Sequence, residues 1–304
     1  MKIKSFIIVV CILTALWTGG MFGSCAQTKN VTIENDSAAL RLAVLPTMEC
    51  LPFFYADSIG LFDSLGVDVR LLTYGAAMDA DTAFRRGWTD AIATDLVKAC
   101  LWQSEGDTAH VAMVGDLRLW LVTAPKARLL KAESLKEKII GVTRHSATDY
   151  FSDKILSSVK MKDIDLNKPQ INDVWLRTLM VDQDQLDGAI LPEPYASEAV
   201  ARGAKRLNGS ERMGVDKLMC VLVADSVYRV RKADVEKIRQ VYDRAVEAMN
   251  RDSVEDKLGY FPDGFRLEMP DSLFRYVPLR RSVAFHDSMM TDVKAWAKER
   301  MLIK

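Results

Sequence analysis

Short apolar runs of β-type alternate with helical patterns along the sequence, and this alternation restricts the possible folds more than any other feature. The first block contains RLAVLP (41–46), a helix over 51–63, VDVRLLTY (67–74), a helix over 77–86, DAIAT (90–94), a helix near 96–104, VAMVG and LRLWLVTAP (117–125). Strands that alternate with helices are typical of a parallel sheet with crossover helices. Pro125 marks the end of this block.

The alternation then restarts, which indicates a second α/β unit. It contains KIIGV (138–142), a helix over 147–158, INDVWLR (171–177), GAILP (188–192) and a helix over 194–202. DKLMCVLVAD (216–225) is apolar enough to be a strand that returns to the first unit, and 226–251 has the spacing of an amphipathic helix. The last eighty or so residues are predicted to be helical throughout. We therefore expect an α/β protein with lobe 1 formed by 39–125 and 216–304, and lobe 2 by 126–215.

The N-terminus has the layout of an export leader. MKIKSFIIVVCILTALWTGGMFGSC combines two lysines, an apolar run and small residues before Cys25. Phe22-Gly23-Ser24-Cys25 resembles a lipobox, although Phe22 replaces the usual leucine. We expect a lipoprotein signal peptide over 1–24, lipidation of Cys25 and a polar tether over 25–38. The alternative is an ordinary secretory peptide cut near Ser24 or Ala26.

Charge and cysteine content exclude several classes of function. The chain has 41 basic and 41 acidic residues, and loss of Lys2 and Lys4 with the leader leaves a net charge of −2. This balance gives no support to a nucleic-acid partner. Outside the leader and Cys25, three cysteines remain, without metal-ligand spacing: Cys50, Cys100 and Cys220. Buried free thiols are the first expectation, and one disulfide is the alternative.

Two α/β lobes joined by two crossings imply a cleft between them. Ligands of such sheets gather at the carboxyl ends of strands, beside helix N-termini, where unpaired N–H groups and the helix dipole favour anions. Five junctions have this position: 46–49, 74–77, 94–95, 143–146 and 192–195. Arg144 at a helix start could pair with a carboxylate or sulfonate, and Arg118 lies near the first crossing.

Four segments, in order, resemble the periplasmic solute-binding proteins of ABC importers, in particular the sulfonate, nitrate and thiamine-precursor group. They are LPFFYADSIGLFDSLGVDVRLLTY (51–74), WTDAIATDL (88–96), SLKEKIIGV (134–142) and GAILPEPYASEAVARG (188–203). The resemblance implies the type II binding fold, in which two lobes close over a small solute. It also implies ligand contacts on the same five loops, at Met48, Glu49, Gly75, Ala76, Thr94, Asp95, His145, Ser146, Glu193 and Tyr195.

Several of these residues also have structural explanations. Glu193 could bind a ligand or cap the helix that follows it, and Ser146 is a good N-cap. Arg144 could simply point into solvent. Where many members of the family have a small Gly-Ser pair, this chain has Arg144-His145-Ser146, which makes anionic or aromatic ligands more plausible.

The expected function is that of a monomeric, lipid-anchored binding protein on the periplasmic face of a bacterial membrane, which presents a small anionic or heteroaromatic solute to an inner-membrane ABC permease. No catalytic residues, metal or cofactor are expected. The three histidines lack metal-ligand spacing, and no nucleophile-elbow or phosphate-loop motif occurs. Two alternatives remain: an enzyme on the same fold, resembling pyrimidine-precursor synthases or dehydratases with His145 opposite Asp95 or Glu49, and a surface lipoprotein that senses a ligand without transporting it.

Overall fold

The computed structural model describes residues 39–251, 257–262, 267–269, 274 and 276–304. The predicted signal peptide, tether and lipidated Cys25 lie outside the described residues. The described residues belong to one compact unit. In the described part of the chain, no helix combines the length and the apolar character that a membrane span requires.

The first sheet has five strands in the order β2-β1-β3-β9-β4. β1 is parallel to β2 and β3, whereas β9 is antiparallel to β3 and β4. The run at 216–225 therefore returns to the first sheet, as predicted. The strands are β1 (Leu40–Val44), β2 (Val69–Thr73), β3 (Ala91–Asp95), β4 (His110–Gly115) and β9 (Met219–Val223).

The second sheet has four strands in the order β6-β7-β5-β8. These are β5 (Leu119–Thr123), β6 (Ile140–Gly141), β7 (Gly188–Pro192) and β8 (Lys205–Gly209). The sequence predicted that 117–125 belongs to the first lobe. This was wrong for β5, which lies in the second sheet and pairs antiparallel with β7 and β8. The apolar pattern of β5 suits either sheet, and its partners lie about seventy or more residues further along the chain. We call each sheet with its flanking helices a lobe; the expected α/β architecture of two helix-flanked sheets is confirmed.

Side-chain caps explain where several helices begin. The side chains of Asp95 and Ser146 accept hydrogen bonds from backbone N–H groups at the starts of α4 and α5. The Asp173 side chain does the same at the start of α6. Asp173 ends the extended part of INDVWLR, so that a helix starts at Val174. The helices are α1 (Leu51–Ser58), α2 (Leu61–Ser64), α3 (Ala77–Arg85), α4 (Leu96–Ser104), α5 (Ala147–Ser158), α6 (Val174–Asp182), α7 (Tyr195–Ala201), α8 (Asp225–Arg251) and α9 (Thr291–Glu299).

The C-terminal region after α8 is not helical throughout. Among its described residues, 276–286 have no helix, and Val283 forms two backbone hydrogen bonds with Val114 of β4, at 2.8 and 3.0 Å. Polar side chains hold this segment extended: Arg280 N donates to Asp116 at 3.0 Å, and Ser282 N donates to Asp243 at 2.7 Å. The prediction of continuous helix was therefore wrong here, because these backbone N–H groups bond to distant carboxylates.

Two short crossovers connect the lobes and run side by side. Residues 116–118 join β4 to β5, and residues 210–218 join β8 to β9. Leu117 N donates to Asp216 O at 2.7 Å, and Leu119 N donates to Ser210 Oγ at 2.9 Å. These bonds tie the two crossovers together at the base of the space between the sheets.

Candidate ligand-binding cleft

A cavity lies between the lobes. It is bounded by the carboxyl ends of β1 and β3, by the crossover at Leu117, and by the starts of α5 and α6. The lining residues are Leu45, Thr47, Glu49, Cys50, Ala77, Ala80, Asp81, Ile92, Ala93, Thr94, Asp95, Lys98, Leu117, Leu119, Thr143, Ser146, Ala147, Thr148, Val174, Arg177 and Pro192. Both lobes therefore contribute to one site.

Backbone contacts hold the lobes together beside this cavity. Met48 N in the first lobe donates to Glu193 O in the second at 2.9 Å. Ala77 N donates to Asn172 O at 3.4 Å, and Ala76 forms a single antiparallel bridge with Asp173. The structure thus shows the lobes in contact around the cavity.

Arg177 is the cationic group of the second-lobe wall. The helical spacing of α6 places Arg177 on its buried face with Val174, Thr178 and Val181, and only 1% of Arg177 is exposed. Nη1 donates to Thr143 Oγ1 and to Ile171 O, each at 3.2 Å, whereas Nε is buried without a hydrogen-bond partner. Burial lowers the pKa of Arg177 to about 10, so it stays charged at neutral pH.

No carboxylate among the described residues forms an ion pair with Arg177. Asp173 is the charged neighbour that acts on its pKa, and the Asp173 carboxylate accepts a hydrogen bond from Leu176 N in the cap of α6. A buried charge without a partner is costly unless something else compensates it. An anion in the cavity would provide that compensation and would suit the forked guanidinium.

A glycine allows Arg177 to lie where it does. A Cβ atom at Gly141 would approach the Arg177 side chain to 3.1 Å at Cγ and 3.2 Å at Cδ, and Leu186 Cδ1 to 2.8 Å. The side chain of Arg177 therefore packs directly over the short strand β6.

Hydroxyl groups surround the start of α5. Ser146 Oγ accepts from Thr148 N at 3.2 Å and donates to Thr143 O at 2.7 Å, and Thr148 Oγ1 accepts from Thr143 N at 2.9 Å. On the opposite wall, Thr94 Oγ1 is buried without a hydrogen-bond partner. A helix start with nearby hydroxyls favours a negatively charged group.

The first-lobe wall is acidic. Burial, with a smaller contribution from the nearby Asp95 carboxylate, raises the pKa of Glu49 to about 7 against the opposing effect of hydrogen bonds from Thr47 and the backbone. Asp95 accepts from Val97 N and Lys98 N at 3.0 Å each; its pKa is raised by burial, against the opposing effect of Lys98. Lys98 is itself paired with Asp81 at 2.7 Å. Glu49 has no such cationic partner among the described residues.

The residues predicted from the sequence fall into three groups. Glu49, Thr94, Asp95 and Ser146 line the cavity between the lobes. A smaller cavity near the crossovers is lined by Met48, Glu49, Asp116, Arg118, Glu193, Phe274, Val277 and Leu279. Gly75, Ala76, Arg144, His145 and Tyr195 line neither cavity. Ligand contact by any of these residues stays a prediction.

The last group has identifiable structural positions. Arg144 and His145 are exposed, and His145 N donates to Asp149 Oδ2 at 3.0 Å. Tyr195 is 4% exposed and packs in the core of the second lobe. Because His145 does not line the cavity, it is not placed for acid–base chemistry with Asp95 or Glu49.

Glu193 has a structural role in the second lobe. Its Oε2 accepts from Ser197 N at 3.1 Å and from Ser197 Oγ at 2.8 Å, and its Oε1 accepts from Arg206 at 2.5 Å. The Arg206 guanidinium in turn lies over the Trp120 ring. Both carboxylate oxygens of Glu193 are thus engaged within its own lobe.

The cavity residues Arg177 and Thr148 lie outside the five junctions predicted from the sequence, and Thr143 lies in one of them but was not named as a ligand contact. Strand-end reasoning does not reach Arg177, because it lies within α6. A signal was nevertheless present: Arg177 occurs at helical spacing from Val174 and Val181, on the face that the apolar residues assign to the core. A charged residue on a buried helix face needs a partner or a function.

A group of three aspartates in the second lobe, Asp149, Asp153 and Asp163, has oxygen atoms close enough together to hold a metal ion. The ammonium group of Lys168 occupies this position instead, at 2.5 Å from Asp149 and 2.7 Å from Asp153, with Asp163 also in contact. The cluster is therefore a buried ion-pair network that fixes α5.

Solved structures with the same arrangement of lobes include the alkanesulfonate-binding protein SsuA from Xanthomonas axonopodis pv. citri, bound to MOPS. It matches with a TM-score of 0.73 and 16% identity, over 88% of this chain and 95% of the other. The periplasmic nitrate-binding protein NrtA from Synechocystis PCC 6803 matches with a TM-score of 0.67 and 10% identity, over 78% and 69%. The fold is that of the periplasmic solute-binding proteins. The resemblance predicted from the sequence is confirmed at this level.

The periplasmic-binding-protein fold also occurs in an enzyme. The desulfurization enzyme DSZB matches with a TM-score of 0.59 and 12% identity, over 87% of this chain and 93% of the other. No protein-family model matches the sequence, and no curated protein matches it either. Because all these identities are low, the comparisons establish the fold, and the function has to be argued from the site.

Proposed function

We propose that this protein is the solute-binding component of an ABC importer, and that it captures a small anionic solute between its lobes. The observation that carries the proposal is the buried Arg177 guanidinium, which faces the cavity without a carboxylate partner among the described residues. A protein that keeps such a charge in its interior loses stability unless a ligand pairs with it. Sulfonate and nitrate, the ligands named for proteins of this fold, are both anions.

The chemistry of the lining favours an aliphatic solute over a heteroaromatic one. No aromatic side chain is among the described residues that line the cavity; its apolar surface comes from Leu45, Ile92, Leu117, Leu119, Val174 and Pro192. A ring-shaped ligand would lack a stacking partner there.

An enzymatic role receives little support from the cavity. Cys50 lines it, but burial raises the pKa of the Cys50 thiol to about 12, so the thiolate that nucleophilic catalysis requires does not form at neutral pH. No histidine lines the cavity in the described part of the chain. Binding without turnover is therefore the proposed activity.

The N-terminal sequence supports export and membrane attachment. A leader that ends in Phe22-Gly23-Ser24-Cys25 suits lipidation of Cys25, and the polar segment after it suits a tether to the periplasmic face of the membrane. The proposed partner is an inner-membrane permease, with the binding protein acting as a monomer. Neighbouring genes for a permease and an ATPase would favour transport over ligand sensing.

A thermal-shift screen of small anions, amines and neutral solutes tests the proposal. At a hundred times its dissociation constant, a bound anion should stabilise the folded protein by about 2.7 kcal/mol, whereas amines and neutral solutes should have no effect. Arg177→Met should abolish this shift while leaving the ligand-free melting temperature unchanged or higher, because methionine fills similar space without burying a charge.

Arg144→Met is the matched control, since Arg144 lies in the loop before α5 but is exposed and outside the cavity. It should retain the full anion-induced shift. Retention of the shift in Arg177→Met, or its loss in Arg144→Met, would contradict the proposed site.

A further inference from the structure

The two walls of the cavity carry opposite charges that do not neutralise each other. The second-lobe wall contributes Arg177, and the first-lobe wall contributes Glu49, Asp95 and the Asp81–Lys98 pair. Lys98 is satisfied by Asp81, and Asp95 is occupied by two backbone N–H groups of α4. Among the described residues that line the cavity, Arg177 and Glu49 are the two charged side chains with neither an ion pair nor a role in a helix cap.

These two side chains do not pair with each other although they line the same cavity. The charged group that acts on Glu49 is Asp95, and the one that acts on Arg177 is Asp173. A ligand that reaches both walls would therefore meet a cation at one end and a carboxyl group at the other. A simple anion would satisfy Arg177 but would be enclosed with two first-lobe acids.

We infer that the cleft takes a small aliphatic zwitterion, with its acidic group against Arg177 and its ammonium group against Glu49. The inference rests on the proposed function and specifies its ligand class. The apolar side chains between the walls, among them Leu117, Leu119 and Val174, suit the methylene chain that joins the two groups. The start of α5, with Ser146 and Thr148, supplies further donors to the acidic group.

Among the residues that the structure describes, no unpaired cation lies beside Glu49. On the cavity side it faces Thr47, Cys50 and Asp95, and the Tyr242 hydroxyl lies close to it. On the side of the smaller cavity lie Asp116, Glu193 and Arg118. Arg118 already donates to Val277 O at 2.9 Å and to Pro278 O at 2.7 Å and contacts Asp116. An ammonium group from the ligand would pair with the Glu49 carboxylate.

Two ligands of equal length separate the zwitterion from the simple anion. Butane-1-sulfonate and 3-aminopropane-1-sulfonate differ in one terminal group, CH₃ against NH₃⁺; pentanoate and 4-aminobutyrate form the corresponding carboxylate pair. Calorimetric titration of the mature protein at pH 8 should show the amine-bearing member of at least one pair binding tenfold or more tightly than its partner.

Glu49→Gln should remove most of this advantage while leaving the affinity for the simple anion equal or better, because a neutral side chain no longer repels it. Glu133→Gln is the control, since Glu133 is exposed and lines neither cavity. The retained binding of the simple anion shows that the Glu49 variant is folded.

The pH dependence of ligand affinity is a second test of the contact between Glu49 and the ligand's ammonium group. Glu49 has a pKa of about 7 and ionises as the pH rises from 6 to 8, whereas an alkylammonium group with a pKa near 10 stays charged. Affinity for 3-aminopropane-1-sulfonate should therefore rise over this range, and affinity for butane-1-sulfonate should fall. Simple anions that bind as tightly as their amine-bearing partners would overturn the inference alone, whereas failure of all four ligands to bind would count against the proposed function as well.

Discussion

At the residue scale, Glu193 shows how a conspicuous motif can be structural. Two prolines flank it and it follows a buried strand, so the sequence marks it either as a ligand contact or as a cap of the helix that follows. In the structure, its two oxygens bond to Ser197 and Arg206, and its backbone carbonyl accepts from Met48 of the other lobe. The side chain caps α7 and fixes Arg206, which are the tasks of a scaffold residue.

Glu193→Ala is therefore expected to lower the free energy of unfolding. Loss of one member of a buried, hydrogen-bonded ion pair leaves Arg206 and Ser197 without their acceptor, which should cost about 3 kcal/mol. Urea denaturation measures this directly, with the exposed Glu133→Ala as control. A variant that is as stable as the wild type but no longer binds anions would show that Glu193 belongs to the site.

Some cavity residues could be predicted from the sequence, whereas Arg177 could not. Thr94, Asp95 and Ser146 were found because strand ends and helix starts follow from local patterns. Arg177 was missed because it becomes a candidate only when no carboxylate pairs with it in the folded protein. Pairing between residues more than thirty positions apart is not visible in a local sequence pattern. Its position on the apolar face of α6 was the available signal.

At the scale of elements, the two crossovers are held by a cluster around Asp116. This carboxylate is fully buried; Arg280 Nε donates to both its oxygens, at 2.9 and 3.0 Å, and Lys217 lies at 2.9 Å. Arg280 also contacts Asp216 on the second crossover. One residue of the C-terminal segment therefore ties both crossovers to the first lobe.

Asp116→Asn should destabilise the protein by about 3 kcal/mol at neutral pH, because it removes the buried carboxylate that Arg118, Lys217 and Arg280 share. Burial raises the pKa of Asp116, but the bonds from Arg280 and Lys217 outweigh this effect and hold it below its usual range. A lowered pKa gives stability that is present above the unfolded-state value near 4 and is lost as the pH falls through the folded-state value.

Unfolding curves from pH 7 to pH 2.5 test this sign. The difference in stability between wild type and Asp116→Asn should be largest at neutral pH and should shrink below about pH 4. Asp184→Asn is the control, because Asp184 is half-buried and its partner Lys126 is exposed. A difference that stays constant down to pH 2.5 would contradict the ion-pair explanation.

The elements also show where prediction from sequence ends. Most strands and helices were recovered from apolar spacing, because that spacing reflects burial of one face or both. Two predictions were wrong: the sheet to which β5 belongs, and the helical character of the C-terminal segment. Both features are decided by partners far along the chain, which are β7 and β8 for the strand and Asp116 and Asp243 for the segment.

At the scale of the whole molecule, the lobes are joined by more than the two crossovers. The C-terminal helix α9 packs beside α4 of the first lobe, and its Trp296 Nε1 donates to Asp153 of α5 in the second lobe at 2.8 Å. Arg300, just after the helix, donates to the same carboxylate at 2.8 Å. Release of a solute requires the lobes to separate, so these contacts are expected to bear on how readily the cleft opens.

Membrane attachment is predicted to depend on Cys25 alone. Cys25→Ser should move the protein from the membrane fraction to the soluble periplasmic fraction, because without a lipid the mature chain has only a polar tether at its start. Cell fractionation with an antibody to the protein measures this, with Cys50→Ser as control. If the Cys25 variant stays in the membrane fraction, the lipobox assignment is wrong.

The most direct test of the central claim is a crystal structure of the protein with the anion that gives the largest melting-temperature shift. We expect electron density for the anion between the lobes, with its oxygens within hydrogen-bond distance of the Arg177 guanidinium. Density for the anion elsewhere on the protein, or in the cleft with Arg177 still unpaired, would contradict it.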